Sequence, residues 1–439
     1  MRVAWTTAAG ALARVAVCWA AGITGAAAAG PASPALEELI EQALERNPSI
    51  QEAFARYRAA AQKAPQVTGL PDPQIGLTQY ARSPETRVGP QSTMVSISQR
   101  FPWLSKLRTQ GQAAEKEAAA KAAMFEAQRD EVARRVKVAY WDLAYVDRAA
   151  RITSEDLEVL RHFETLAEAR YSQGVGLQQA AIKLQAEITR GMNRLQTLRR
   201  RRVDLEASLN ALCDREARTP IPPAELPVPA PLSLDLERLY AAAQERRPEM
   251  AAALLRIETE EKRIDAARKQ AYPDVTVGAG YTLVRQRQDE AGRAMPPPSN
   301  GKDIYSVTVG VNLPIFRRKY NAAVYEATEN FLASKQGYRG LWNQVQADVR
   351  SIAFDLETMQ SQLKLFEDAL LPQAEQALRS GESSYANGGV GVLDLLDSQR
   401  TLLEIRLGLA QLRSDYWKST AELERATGAP LAELEGVQR

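Results

Sequence analysis

Two carboxylates three residues apart, Asp394 and Asp397, follow a glycine-rich break at Gly388, Gly389 and Gly391. That spacing places both acids on one face of a helix. Taken alone, the pair reads as acids complementing the positive end of a helix, worth about 0.3–1 kcal/mol. Tyr385 stands just before the break, and a second break of the same kind carries Tyr171, Gly174 and Gly176. Glycine permits the sharp reversal between two antiparallel helices. Other chemistry is sparse. The one histidine, His162, lies beside Phe163 in a helical pattern, so a histidine-built metal site or a Ser-His-Asp triad has little material. Cys18 and Cys213 cannot make a disulfide framework, and the methionines form no cluster for Cu(I). No nucleophile, base and acid come together in sequence, so an enzyme is not expected, nor a cofactor or a resident metal.

The elements that must position these residues are long and polar. The chain has 439 residues, 45% of them hydrophobic and only 6% aromatic. Its mean hydropathy is −0.34. No mature stretch offers 18 uncharged apolar residues, which excludes a helical membrane protein. Residues 1–29 combine a basic start, an apolar middle and a run of small residues at Ala26 to Ala29, the pattern of an export signal. Val17 before Cys18 fits a lipobox poorly. The signal holds Arg2 and Arg14 and no acid, so the formal charge of +2 becomes zero in the mature chain. Nucleic acid is therefore not expected as a partner. Arg199 to Arg202 reads as a solvated basic face.

The mature chain is a duplication. Glu45-Arg46-Asn47-Pro48 corresponds to Glu245-Arg246-Arg247-Pro248, and Pro73 to Pro273, both at an offset of 200. Pro102 pairs with Pro314 at 212, and Tyr171-Ser-Gln-Gly174 with Tyr385-Ala-Asn-Gly388 at 214. The intervening difference falls in a longer loop, Gln288 to Gly301. The expected organisation is a signal at 1–29, repeat 1 at 30–218, a Pro-rich stiff connector at 219–231, repeat 2 at 232–428 and a tail at 429–439.

Each repeat reads as helix, two strands, long helix, turn, helix. Val275, Val277, Ala279, Tyr281 and Leu283 alternate with small or polar residues, as do Tyr305, Val307, Val309, Val311 and Leu313. Period-two alternation marks half-buried strands. The spacing predicts strands over about 73–82, 92–101, 273–285 and 303–313. After Pro102 and after Pro314 the period changes to that of a helix, about 65 residues and roughly 100 Å in repeat 1. Pro73, Pro102, Pro273 and Pro314 mark the four helix–strand junctions, where a ring without an N–H ends regular structure. The fold class is thus mainly α with a small antiparallel β part.

Four strands cannot close a barrel, since the smallest membrane barrels have 8, and exposed edges seek strands of other chains. Three chains would supply 12. The apolar row then suits lipid and the Thr, Ser and Gly row suits water, with Trp103, Tyr281, Tyr305 and Phe316 as interfacial anchors. A soluble β-sandwich attached to a coiled coil is the plainer alternative, but it needs more strands.

These features resemble the TolC family of outer-membrane efflux factors. The resemblance covers the signal, the duplication, the Pro-marked hairpins and the Tyr-x-x-Gly turns. Ser98-Gln-Arg-Phe-Pro-Trp-Leu-Ser-Lys-Leu107 and Gln178-Gln179 are similar to the CusC/CzcC-like heavy-metal branch. What the resemblance implies is a homotrimer with a 12-stranded transmembrane β-barrel continued by a long periplasmic α-barrel. Such a trimer is the exit duct of a tripartite efflux pump or type I secretion system. It works passively with a periplasmic adaptor and an inner-membrane transporter of RND or ABC type, in a Gram-negative outer membrane. The resemblance also implies that Asp394 and Asp397, with Tyr385, line the constricted periplasmic entrance as rings of carboxylates. Two departures stand out: Ala180 and Val390 occupy positions where the family pattern has Asp and Arg. Closure is then expected to rest on Tyr385 packing and the aspartate rings. The alternative is a periplasmic coiled-coil scaffold or adaptor that forms no channel.

Overall fold

The structure, a computed structural model, describes residues 33–174 and 178–434. The expected signal with Cys18, together with Gly176 and the last five residues of the tail, lies outside them. The helices are α1 (Pro34–Arg46), α2 (Pro48–Ala61), α3 (Lys63–Thr68), α4 (Leu104–Ser172), α5 (Gln178–Leu212), α6 (Leu236–Arg246), α7 (Pro248–Lys269), α8 (Glu290–Ala294), α9 (Arg317–Leu365), α10 (Leu371–Ala386), α11 (Val392–Thr427) and α12 (Leu431–Leu434). A five-residue π-helix, Phe366–Leu370, separates α9 from α10. The strands are β1 (Gln74–Gln79), β2 (Gln91–Phe101), β3 (Val275–Val284) and β4 (Ile304–Val311). Among the described residues no helix is long and apolar enough to cross a membrane.

The chain divides into two compact units, and neither coincides with a repeat. One holds residues 52–127 and 248–343, the other 33–51, 128–247 and 344–434. Each therefore draws segments from both copies of the duplication.

The first unit contains the sheet, antiparallel in the order β1-β2-β3-β4. Its register gathers like residues into rows. Leu77, Val95, Tyr281 and Tyr305 lie side by side, and so do Ile75, Ile97, Ala279 and Val307. On the opposite face the rows are Gly76, Ser96, Gly280, Ser306 and Gln74, Ser98, Gly278, Thr308. Because side chains alternate across a strand, this register gives one apolar and one small polar face. The apolar face is bare: Ile75, Leu77, Tyr305 and Val307 are each more than 70% exposed. Strands β1 and β4 each pair on one side only.

β4 is shorter than the alternation predicts. Its ladder stops at Val311, where Asn312 instead bonds Asp274: the Asn312 N–H donates to the Asp274 carbonyl at 3.2 Å, and the Asp274 N–H donates to the Asn312 side chain. Pro273, which has no N–H, cannot carry the ladder further. Below this point Asp274 is a buried anchor. Its carboxylate accepts from Lys106 Nζ at 2.7 Å, from Arg100 Nε at 3.1 Å and from the Trp103 N–H at 3.3 Å. Lys106 is buried as well. The sharp passage from β2 through Pro102 into α4 is thus tied to the start of β3. Trp103 packs edge-on against Tyr272 at 6.1 Å.

The second unit is helical. Its core stacks Trp141 on Trp417 at 5.5 Å, with Tyr140 and Tyr416 edge-on to them. The connector at 219–231 has no regular structure, as its prolines dictate, yet it is firmly bound. Asp147 accepts from the Ala224 N–H at 2.9 Å and from Arg202 Nε at 2.7 Å; Arg202 also donates to the Ile221 carbonyl, and Trp417 Nε1 to the Pro227 carbonyl. Arg199 and Arg200 are exposed, as a solvated face requires, but Arg202 is drawn in as this tie because the connector's carbonyls need donors. Cys213 is buried, its thiol donating to the Leu39 carbonyl. His162 is exposed.

Asp156 on α4 is the unusual acid of this unit. It is 8% exposed. Burial pushes its carboxyl up to about 6, against the pull of Arg194 on α5 and Arg406 on α11, and with a further push from Glu187.

Asp274→Asn should destabilise the protein by about 3 kcal/mol, because it strands the Lys106 ammonium in a buried site. Lys106→Met in the same background should recover much of that loss, measured as the thermal denaturation midpoint of the purified protein. For Asp156 the native carboxyl binds its proton more tightly than the unfolded one, so stability falls as pH rises from about 4 to about 6. The ionised carboxylate costs roughly 1–2 kcal/mol once the solvent still reaching the site is counted. Asp156→Asn should therefore raise the denaturation midpoint at about pH 7.5 and leave it unchanged at about pH 4.

Candidate functional site

The two glycine-rich breaks, both in the helical unit, end two helical hairpins, α4–α5 and α10–α11. Gly174 and Gly388 adopt φ of +76° and +78°, the left-handed conformation that only glycine enters freely. In the second turn the Gly389 N–H donates to the Ser384 carbonyl at 2.8 Å. Gly391 is the N-cap of α11. Tyr171 is exposed in the last turn of α4.

Around these turns the hairpins share one apolar core. Phe163 and Ala167 of α4, Leu184 of α5, Leu378 and Tyr385 of α10, and Leu395 of α11 all meet in it. Tyr385 is 6% exposed, held by this packing. Val390 packs partly buried against the same cluster, as does Ala180. The positions that carry charge in the resembled family here carry apolar contact instead.

The charge comes from elsewhere. Arg170, the residue before Tyr171, places its guanidinium 4.9 Å from the centre of the Tyr385 ring and donates to the Tyr385 carbonyl. This is a cation–π contact and a charge-assisted hydrogen bond from one hairpin to the other. A side chain at position 388 would begin 3.3 Å from the Arg170 guanidinium, so Gly388 leaves the space that Arg170 occupies. A second tie joins α5 to α11: Glu187 accepts from Arg400 and, at 2.5 Å, from Arg190. Hydrogen bonding to Glu187 raises the Arg400 pKa, and the field of Asp397 adds to it. Higher on α11, Arg406 lies 3.8 Å from Glu155 of α4 and 3.3 Å from Glu375 of α10.

Asp394 and Asp397 are both exposed, on the face of α11 opposite buried Leu395, Leu396 and Gln399. Asp394 Oδ2 accepts from the Gly391 N–H at 3.0 Å, satisfying a donor at the start of α11. One of the two acids therefore has a structural task that the spacing already suggested. The other has Arg400 three residues on, along the same exposed face. A groove of about 340 Å³ runs beside them, lined by Arg170, Lys183, Tyr385, Val390, Leu393 and Asp394 among others.

Sequence reasoning singled out Tyr385, the glycines and the two aspartates, which the fold brings to one end of two packed hairpins. It missed Arg170, Glu187 and Arg400. These pair across hairpins, at separations of 215 and 213 residues, and no local spacing announces such partners. Among the described residues no group of His, Cys, Asp or Glu could hold a metal ion.

The chain matches the outer membrane efflux protein family over residues 39–213 and 239–429. Over 195 residues it is 25% identical to the outer membrane protein TolC of Vibrio cholerae serotype O1, covering 44% of this chain and 43% of the relative. Over 184 residues it is 24% identical to the cobalt-zinc-cadmium resistance protein CzcC of Cupriavidus metallidurans, covering 42% and 41%. The chain thus spans less than half the length of these two curated relatives. The fold is that of the outer-membrane channel OprN, with a TM-score of 0.75 at 19% identity over 91% of each chain. With both repeats matched, each including its pair of strands and its glycine-rich turn, the chain belongs to the outer membrane efflux protein family.

Proposed function

We propose that three copies of this chain form the exit duct of an efflux pump or type I secretion system in a Gram-negative outer membrane. The observation that carries the reading is the sheet. Its register collects an exposed apolar face and a small polar face, and its two outer strands lack partners. Three such sheets joined edge to edge make a closed barrel of 12 strands, apolar towards lipid and polar towards water. Closure satisfies the edge N–H and C=O groups that a bilayer would otherwise leave unbonded. In this reading residues 1–29 direct export, residues 30–218 and 232–428 are the two repeats, and 219–231 is the strap between them.

The duct has no reaction and no energy source of its own. A periplasmic adaptor and an inner-membrane transporter supply both substrate and force. The cargo is small molecules or metal ions; the name of the CzcC relative supports the second. A scaffold or adaptor that never enters a membrane would have no use for an apolar, open-edged sheet.

The glycine turns form the periplasmic tip. Asp394 and Asp397 present rings of carboxylates there, which draw cations and repel anions. Tyr385, held by Arg170 from the neighbouring hairpin, keeps the tip closed, together with the Glu187–Arg400 bridge.

In planar bilayers the purified trimer should show a small, cation-selective conductance. Asp394→Asn with Asp397→Asn keeps an acceptor for the Gly391 N–H while removing the charge, and should lower the cation-to-anion permeability ratio roughly fivefold. An unchanged ratio across divalent concentrations would refute the ring assignment. Arg170→Ala should raise the conductance roughly threefold by releasing Tyr385. A purely soluble monomer, absent from outer-membrane fractions, would overturn the duct itself.

A further inference from the structure

The duplication provides an internal control for movement. At the offset of 214 set by Tyr171 and Tyr385, the π-helix Phe366–Leu370 corresponds to Ile152–Asp156. That segment of repeat 1 lies inside α4, which is α-helical without interruption from Leu104 to Ser172. Repeat 2 alone has the wider turn, and it is the repeat whose hairpin carries Asp394 and Asp397.

A proline stands beside the turn. Pro372 stands in the first turn of α10, where repeat 1 has Glu158. A proline within a continuous helix offers no N–H to the carbonyl four residues back and presses its ring against it. The chain responds by inserting a residue: the Leu371 N–H donates to the Phe366 carbonyl, five residues back. Such π-turns are where helices bend.

The partner helix is shaped to the same place. Gly408 of α11 faces Phe366, and a Cβ there would come within 3.2 Å of the ring. Repeat 1 has Arg194 at that offset. At this point the ring therefore rests on the backbone of α11. Glu367, inside the π-turn, accepts from Arg413 of α11 at 2.7 Å, which ties the turn to the partner helix. Beside it lies a cleft of about 260 Å³ lined by Ile152, Leu226, Leu371, Glu375, Arg406 and Leu409, which leaves room for the helix to swing.

We propose that the π-turn Phe366–Leu370, with Pro372 and Gly408, is the hinge about which the α10–α11 hairpin moves when the tip opens. The inference rests on the reading of the hairpin ends as a gate. The hinge lies above the Arg406, Arg400 and Arg170 ties in sequence order along the hairpin, so releasing them frees the segment beyond it. Repeat 1, with no such turn, is the fixed wall.

The test uses the full-length trimer. Deleting Asp368 and replacing Pro372 by Ala removes the inserted residue and restores a continuous α-helix without shifting the register of either flank. In an Arg170→Ala background this change should return the raised conductance to within about a fifth of the closed value. If the Arg170→Ala channel opens and stays open with the straightened helix, the hinge is overturned and the gate stands. If Arg170→Ala alone changes nothing, the gate reading fails, and the hinge is then judged by amide hydrogen exchange in the unmodified trimer. There the amides of 365–371 should exchange roughly tenfold faster than those of 151–157, which the duplication makes their counterparts. Equal protection of the two segments overturns the hinge whatever the conductance shows. Should the deletion variant fail to assemble, Pro372→Ala alone takes its place: slower exchange at 365–371 supports the hinge, and unchanged exchange overturns it.

Discussion

A strand at the edge of a sheet exposes a row of N–H and C=O groups that water can satisfy and lipid cannot. In this chain two of the four strands have such an edge, and the sheet they bound offers its apolar residues on the outside. Both features are faults in a protein that works alone in water. Together they are what a subunit of a closed barrel requires, and the remaining organisation follows from them. The two hairpins that supply the strands come from the two repeats, and the β2–β3 pairing joins the repeats in one sheet. Asp274 then secures the passage between strand and helix by gathering Lys106, Arg100 and the Trp103 amide around one buried carboxylate.

The duplication is close enough to be recognised and uneven enough to be useful. Corresponding prolines, tyrosines and glycines keep the same places in the two copies. The copies also differ at the hairpins. Repeat 2 has the π-turn, Pro372 and the aspartate pair. Repeat 1 contributes Arg170 and Glu187, which reach across to Tyr385 and Arg400. In the proposed gate one hairpin moves and one holds, and a duplicated chain can divide those duties by a few substitutions.

The hairpin ends also show how the chain compensates for what it lacks. Where the family pattern has Arg, Val390 adds apolar contact; the guanidinium that meets the tyrosine is provided by Arg170 from the other hairpin. The interaction is a cation on an aromatic ring, supplied across the two hairpins. Asp394 likewise serves two ends, capping α11 through the Gly391 amide while keeping its charge exposed.

Much of this was legible in the residues alone. Alternation over Val275 to Leu283 marked a strand because side chains on a pleated ribbon face opposite sides; Pro102 and Pro314 marked junctions because proline has no N–H; Gly174 and Gly388 marked reversals because only glycine enters the left-handed region freely. Each of these is a local rule acting within a few residues. The ties between the hairpin ends, the strapping of the connector by Arg202 and the elevated pKa of Asp156 were not legible, because they depend on partners that only packing brings near. Pro372 was visible in the sequence, but whether it kinks a helix, breaks it or widens one turn depends on what faces it, and Gly408 is 36 residues away. Periodicity, turns and junctions are set by backbone sterics and so belong to the sequence; which charge meets which ring is set by how the helices lie against each other, and only the tertiary structure decided it.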